Sequence, residues 1–271
     1  MSAGAPAPAA GLGHALDLSS TQPIPFARLV RVELRKSYDT RAGFWLLLSI
    51  GLLVLAAEVI ALAVTTVQDE AMQFGDFVGT AAFLTSFLLP VLGIMVLTSE
   101  WSQRTAMVTF ALDPRRPLVI AAKALVGVIL TLATVAVSIA IGAVCNLLYG
   151  AIEGHTDWTF GFPDFVAFTI TQVLAMLGGF ALAALFLNTA AAIVVYFVYK
   201  WVLPGLFAVG AGLIGWFSDL RPWIDFQVAQ EAIWDWSGSG RDWAQLVISG
   251  FVWLGVPLVW GIWRVLRAEV K

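Results

Sequence analysis

Six long apolar runs constrain this chain more than any other feature of it. They occupy residues 43–67, 77–98, 124–149, 165–187, 190–216 and 244–263, and their only charges are Glu58 in the first and Lys200 in the fifth. A helix rises about 1.5 Å per residue, so crossing a hydrocarbon core of about 30 Å takes about 20 apolar residues. Every run reaches that length. A membrane strand needs only about 10 residues of alternating polarity. Continuous runs of this length therefore predict helices, whose backbone polar groups are satisfied internally, as lipid requires. Only Asn188 and Thr189 separate the fourth and fifth runs, so the chain must reverse there. Pro90, Pro204 and Pro257 fall inside spans and predict kinks.

Composition closes off the soluble alternatives. The chain is 60% hydrophobic and 12% charged, with a net charge of −3. A soluble domain is about a quarter charged, so too little polar surface is present to cover a water-soluble fold. A disordered chain and a nucleic-acid binder are excluded on the same ground. The single cysteine, Cys145, allows no internal disulfide and reads as a small core hydrophobe. His14 and His155 are isolated from other metal ligands. No G-x-x-x-x-G-K-[S/T] loop occurs, so the chain does not bind ATP by that route.

The flanks organise the rest. Residues 1–23 are rich in Ala, Gly, Pro and Ser and read as a flexible tail. They contain no Lys or Arg and so lack the basic start of a cleaved signal peptide, and the first span is expected to act as an uncleaved anchor. Residues 24–42 predict a basic amphipathic helix in the headgroup region. Phe26, Leu29, Val30, Leu34 and Tyr38 recur at spacings of three and four, with Arg28, Arg31, Arg35 and Lys36 on other faces. Residues 43–263 form the six-span domain, and 264–271 a short tail.

Charge sets the expected orientation. Arg28, Arg31, Arg35, Lys36 and Arg41 precede the first span. Arg104, Arg115, Arg116 and Lys123 lie between the second and third, and Arg264, Arg267 and Lys271 follow the sixth. The opposite loops hold Asp69, Glu70, Asp76, Glu153, Asp157, Asp164, Asp219, Asp225, Glu231, Asp235 and Asp242, against only Arg221 and Arg241. Basic residues mark the cytoplasmic side, so both termini are expected there. The segment 217–243 carries Trp223, Trp234, Trp236 and Trp243 among acids. It is expected to form short helices at the outer leaflet, since indoles favour the interface.

Two groups of residues are candidates for function. The first is the segment 99–117, SEWSQRTAMVTFALDPRRP, at the expected cytoplasmic face. It opens with Glu100, continues as a helix, breaks at Pro114 and ends on Arg115 and Arg116. Glu100 and Arg104 stand one helical turn apart and can face each other. A short helix tethered between two spans would move both when pushed. The second group is Glu58 and Lys200, costly at bilayer depth, which either pair inside the bundle or reach its outer surface. The spacings of Gly75 with Gly79, and of Gly179 with Ala183, permit close helix approach.

The first group resembles a family. Glu100, the pair Arg104–Thr105, the run Leu112-Asp113-Pro114-Arg115-Arg116 and the later Ala122–Lys123 are similar to the motifs of ABC-2 type (type V) ABC transporter permeases. Arg104 stands where glycine is commoner. Helix 24–42 resembles that family's elbow helix, and Leu187-Asn188-Thr189-Ala190-Ala191-Ala192 its tight cytoplasmic turn between spans four and five. The resemblance covers residues 25–265. It implies an all-α integral membrane protein with six transmembrane helices, an N-terminal amphipathic elbow helix and a cytoplasmic coupling helix between spans two and three. It also implies a dimer with itself or a related permease in a bacterial plasma membrane, and a separate cytosolic ATPase that binds ATP and Mg2+. Glu100, Arg104, Thr105, Pro114, Arg115 and Arg116 would then form the ATPase-coupling joint. The chain itself would carry no catalytic residue or cofactor and would export an amphipathic or hydrophobic cargo. The residues alone also admit a stand-alone secondary transporter or channel, a non-transporting membrane partner, or a membrane-embedded enzyme.

Overall fold

A computed structural model describes residues 24–68, 70–102, 115–236 and 238–267. The tail 1–23 and most of the expected coupling segment, residues 103–114, lie outside them, as do Asp69, Ser237 and residues 268–271. The described chain is helical without strands, and six of its helices are long and apolar enough to cross a membrane. These are α2 (Arg41–Gln68), α3 (Phe74–Ser102), α4 (Arg116–Glu153), α5 (Phe162–Phe186), the broken helix Thr189–Leu213, and the broken helix Gly240–Arg267. This architecture fits a multi-pass membrane protein.

The amphipathic stretch forms α1 (Phe26–Asp39). At Thr40 the backbone turns extended, and its hydroxyl accepts the Gly43 amide at 3.2 Å, so α2 starts afresh at Arg41. The corner is tight enough that a Cβ on Gly43 would sit 2.0 Å from the Ser37 carbonyl oxygen. The reversal expected after the fourth run is present. Leu187 takes a left-handed conformation at φ 52, and the Asn188 side chain caps the next helix by accepting the Ala191 amide at 3.0 Å.

The two broken spans share a cause. The fifth consists of α6 (Thr189–Phe197), a π-helical turn at Val198–Val202 and α7 (Leu203–Leu213). The sixth consists of α11 (Gly240–Gly250), a π turn at Phe251–Gly255 and α12 (Val256–Arg267). Each π turn ends two residues before a proline, Pro204 or Pro257. Proline lacks an N–H and its ring collides with the carbonyl four residues back. Widening the preceding turn by one residue removes both conflicts.

Helix α5 stands at the centre, against α3, α4, α6 and α12. Its Phe168, Met176, Phe180, Ala183 and Ala184 are fully enclosed. Glycines bring the neighbouring backbones close. A Cβ on Gly93 of α3 would meet the Met176 carbonyl oxygen at 2.3 Å, and one on Gly179 of α5 would meet that of Pro90 at 2.2 Å. The Gly179 spacing thus marks a real crossing. The Gly75 and Gly79 spacing does not, because a Cβ on Gly79 would meet nothing within 4 Å.

Contacts at the helix ends show that the spans alternate in direction. One end gathers α1, the end of α3, the start of α4, the end of α5, the start of α6 and the end of α12. Thr189 shares hydrogen bonds with Thr98 at 2.8 Å and Ser102 at 2.9 Å, and Arg264 donates to the Leu185 carbonyl. The basic flanks named above lie at this end; Arg104 and Lys271 fall outside the described residues. At the other end, the Phe74 amide donates to the Asp157 carbonyl and Tyr149 to that of Glu70. The Trp-rich segment there forms α8 (Gly215–Ile224), α9 (Phe226–Ala229) and α10 (Glu231–Trp234). It folds back on the bundle, burying Phe226, Ala229, Ala232 and Ile233.

Candidate functional site: a buried charge network

Four charged side chains from three helices converge where α1 meets the bundle. Glu33 and Lys36 are three residues apart on α1 and so share a face. Lys36 donates to Glu33 at 2.7 Å and to Glu100, near the end of α3, also at 2.7 Å. Lys123, from the second turn of α4 onward, donates to the other Glu33 oxygen at 2.6 Å and lies 3.3 Å from Glu100. Glu33 and Glu100 are each 6% exposed and Lys123 is 3% exposed, whereas Lys36 reaches solvent. Two carboxylates and two ammonium groups balance, which is what allows such charges to be buried. Burial would push the Lys36 ammonium down in pKa. Its hydrogen bonds to Glu100 and Glu33 outweigh that and hold it above the ordinary lysine value.

Two arginines at the start of α4 extend the joint. Arg115 donates to the Ile24 carbonyl at 2.8 Å, tying down the beginning of α1. Arg116 donates to the Leu266 carbonyl at 3.0 Å, reaching the last turn of α12. The two helices flanking the 103–114 connection are therefore both ion-paired to α1, and the second also holds the end of the sixth span.

Of the residues singled out by sequence, Glu100, Arg115 and Arg116 meet at this end. Arg104, Thr105 and Pro114 lie outside the described residues, and so does the expected facing of Glu100 by Arg104. Sequence reading overlooked Glu33 and gave Lys36 and Lys123 no partner. A signal was present: Glu33 falls four residues after Leu29 and three after Val30, on the apolar stripe of α1, and it is the buried residue of that helix. Lys123 likewise continues the buried stripe Val119, Ile120 of α4.

Glu58 and Lys200 do not hydrogen-bond to each other. Glu58 is 0% exposed inside the bundle, where its Oε2 would lie 3.3 Å from a Cβ on Gly142. Neither of its oxygens has a hydrogen-bond partner among the described residues. Lys200, in the first π turn, donates to Gln227 of α9. Gln227 in turn donates to Tyr199 at 2.9 Å, and the Tyr199 ring lies 4.8 Å from that of Trp253 in the second π turn. Trp253 donates to the Ile224 carbonyl at 2.6 Å, so both broken spans are fastened to the folded-back segment.

No cluster of metal-ligating side chains occurs among the described residues. The ion pairs tie α1, α3 and α4 to one another. Six helices long and apolar enough to cross a membrane, with an ionic joint at the end where the basic flanks lie, fit a multi-pass membrane protein. No protein-family model matches the chain, and no curated protein matches it.

Proposed function

We propose that this chain is the permease subunit of an ATP-driven exporter of the ABC-2 type. A separate cytosolic ATPase would bind ATP and Mg2+ and press on the 103–114 connection. The permease would act as a dimer in a bacterial plasma membrane, with its basic end and both termini in the cytoplasm. The observation that supports this reading is the network of Glu33, Lys36, Glu100 and Lys123. It binds the helices on either side of the connection to α1, so a push there moves them as one body rather than bending a loop. A cluster of aromatic rings supports an amphipathic or apolar cargo: Phe87 of α3 stacks on Trp201 at 4.4 Å, and Phe83 meets Trp201 edge-on at 5.9 Å, with Phe83 61% exposed.

The test is association. The tagged full-length chain, purified from its native membranes in mild detergent, is expected to bring down an ATPase with a phosphate loop. A variant with residues 103–114 replaced by a Gly/Ser linker is expected to insert normally and lose that ATPase. Retention of the ATPase by the linker variant would overturn the assigned joint. Unaided transport by the purified, reconstituted chain would overturn the exporter reading in favour of a stand-alone transporter.

A further inference from the structure

Beside the charge network lies a cavity that the network does not use. It encloses about 680 Å3 between α1 and the adjoining ends of α2, α3 and α4, within the range of about 300–1,000 Å3 usual for ligand clefts. Its walls are aliphatic: Leu29 and Val32 of α1, Leu46 and Leu47 of α2, Leu92 of α3 and Leu130 of α4. Leu92 stands eight residues before Glu100, and Leu130 seven after Lys123. The walls thus run about 10–12 Å from the network toward the middle of the bundle.

Charge distinguishes the rim. Glu33, Lys36 and Glu100 line it but are balanced within the network that includes Lys123. Arg28 also lines it, is exposed, and has no carboxylate partner among the described residues. Among the described residues the cleft is therefore an apolar slot whose lining includes one cation, Arg28, without a carboxylate partner, in a protein whose long helices fit a bilayer. A ligand matching it has an anionic head and a hydrocarbon tail.

We infer that this cleft holds an anionic glycerophospholipid, its phosphate on Arg28 and one acyl chain between α1 and the ends of α2, α3 and α4. The inference rests on the chain being embedded in a membrane and not on its being an exporter. Lipid tails are as apolar as leucine, so the acyl chain gains little over its place in the bilayer. Selection among lipids then falls to the head group, and a single arginine near a membrane surface is worth about a fivefold preference.

The full-length protein, in detergent with equal amounts of dioleoylphosphatidylglycerol and dioleoylphosphatidylcholine, tests this by native mass spectrometry. A discrete adduct enriched in phosphatidylglycerol is expected. Arg28→Gln is expected to lower that enrichment about fivefold. Leu47→Trp, which fills the slot, is expected to abolish the adduct with both lipids. Arg31→Gln is the control: Arg31 is exposed on α1 but does not line the cleft, and its removal is expected to leave the enrichment intact. Equal retention of the two lipids, or equal loss in Arg28→Gln and Arg31→Gln, would overturn the site. So would retention that appears only after residues 1–23 are deleted, since the chain's own tail would then be the occupant.

Discussion

Replacing Lys123 by methionine tests the joint most directly. Lys123→Met keeps most of the aliphatic stem and removes the cation that sits 2.6 Å from Glu33 and 3.3 Å from Glu100. Both carboxylates are 6% exposed, so neither regains full hydration. Removing one partner of a buried pair costs about 3–5 kcal/mol, because the remaining charge is stranded. Lys36 still bonds both acids and is partly open to water, which places the loss near the lower figure, about 3 kcal/mol. A chain of this size loses about 2–4 °C of melting temperature per kcal/mol, so a fall of about 6–12 °C is expected. Tryptophan fluorescence at one fixed scan rate reads it, since membrane proteins commonly unfold irreversibly.

The sharper result comes from the pair. Glu33→Gln together with Lys123→Met removes one acid and one base and keeps the pair of Lys36 with Glu100. The double variant should melt above Lys123→Met alone, with a coupling of about 1–3 kcal/mol. A double variant that loses the sum of the two single effects would refute the argument that stranded charge, rather than lost packing, sets the cost. A Lys123→Met protein within about 2 °C of the parent would refute the buried network itself.

Two further outcomes follow from the same reasoning. The raised pKa of Lys36 means that its contribution to stability is fully present below the ordinary lysine value of 10.5 and is lost as pH rises through the folded value above it. The melting difference between the parent and Lys36→Met should therefore stay constant from pH 6 to about pH 9 and shrink only beyond about 10.5; a difference that vanishes near neutrality would contradict the network. At Glu58, whose oxygens are enclosed without partners, Glu58→Met should raise the melting temperature by several degrees, because an unsatisfied buried polar group costs about 1–3 kcal/mol. Glu58→Gln should change it little, and a lower melting temperature for the methionine variant than for the glutamine one would show that the carboxyl has a partner.

Much of the architecture was legible because lipid leaves a chain few choices. Runs such as 124–149, without a charge, admit only a helix, and two polar residues between runs four and five admit only a reversal. Glycine spacing was a poorer guide. Gly179 and Gly79 both look like contact residues, yet which face of a helix meets a neighbour depends on how the bundle closes. Prolines were an uneven guide to interruptions: π turns precede Pro204 and Pro257, whereas α3 continues as an α-helix through Pro90, because a proline declares the conflict and leaves its resolution to the flanking backbone. The charge network was hardest to read. Its members lie up to 90 residues apart in the chain, as Glu33 and Lys123 do, and sequence shows where a charge occurs without showing what it opposes. Lys200 illustrates the same limit: its partner proved to be Gln227, a neutral residue in a segment with no apolar periodicity to place it.

The position of the network bears on why charges are buried at all in a protein so short of them. With 12% charged residues, each buried ionic group displaces an apolar one that would stabilise the bundle as well or better. Aliphatic packing between α1 and the bundle would be non-directional and would let the amphipathic helix slide along α4. Four charges that must each meet two others admit one register of α1 against α3 and α4. Replacing all four by apolar residues of similar volume should therefore leave the protein at least as stable, while α1 loses its fixed placement. Under the proposed reading, such a protein would still bind its ATPase and would fail to pass the stroke on.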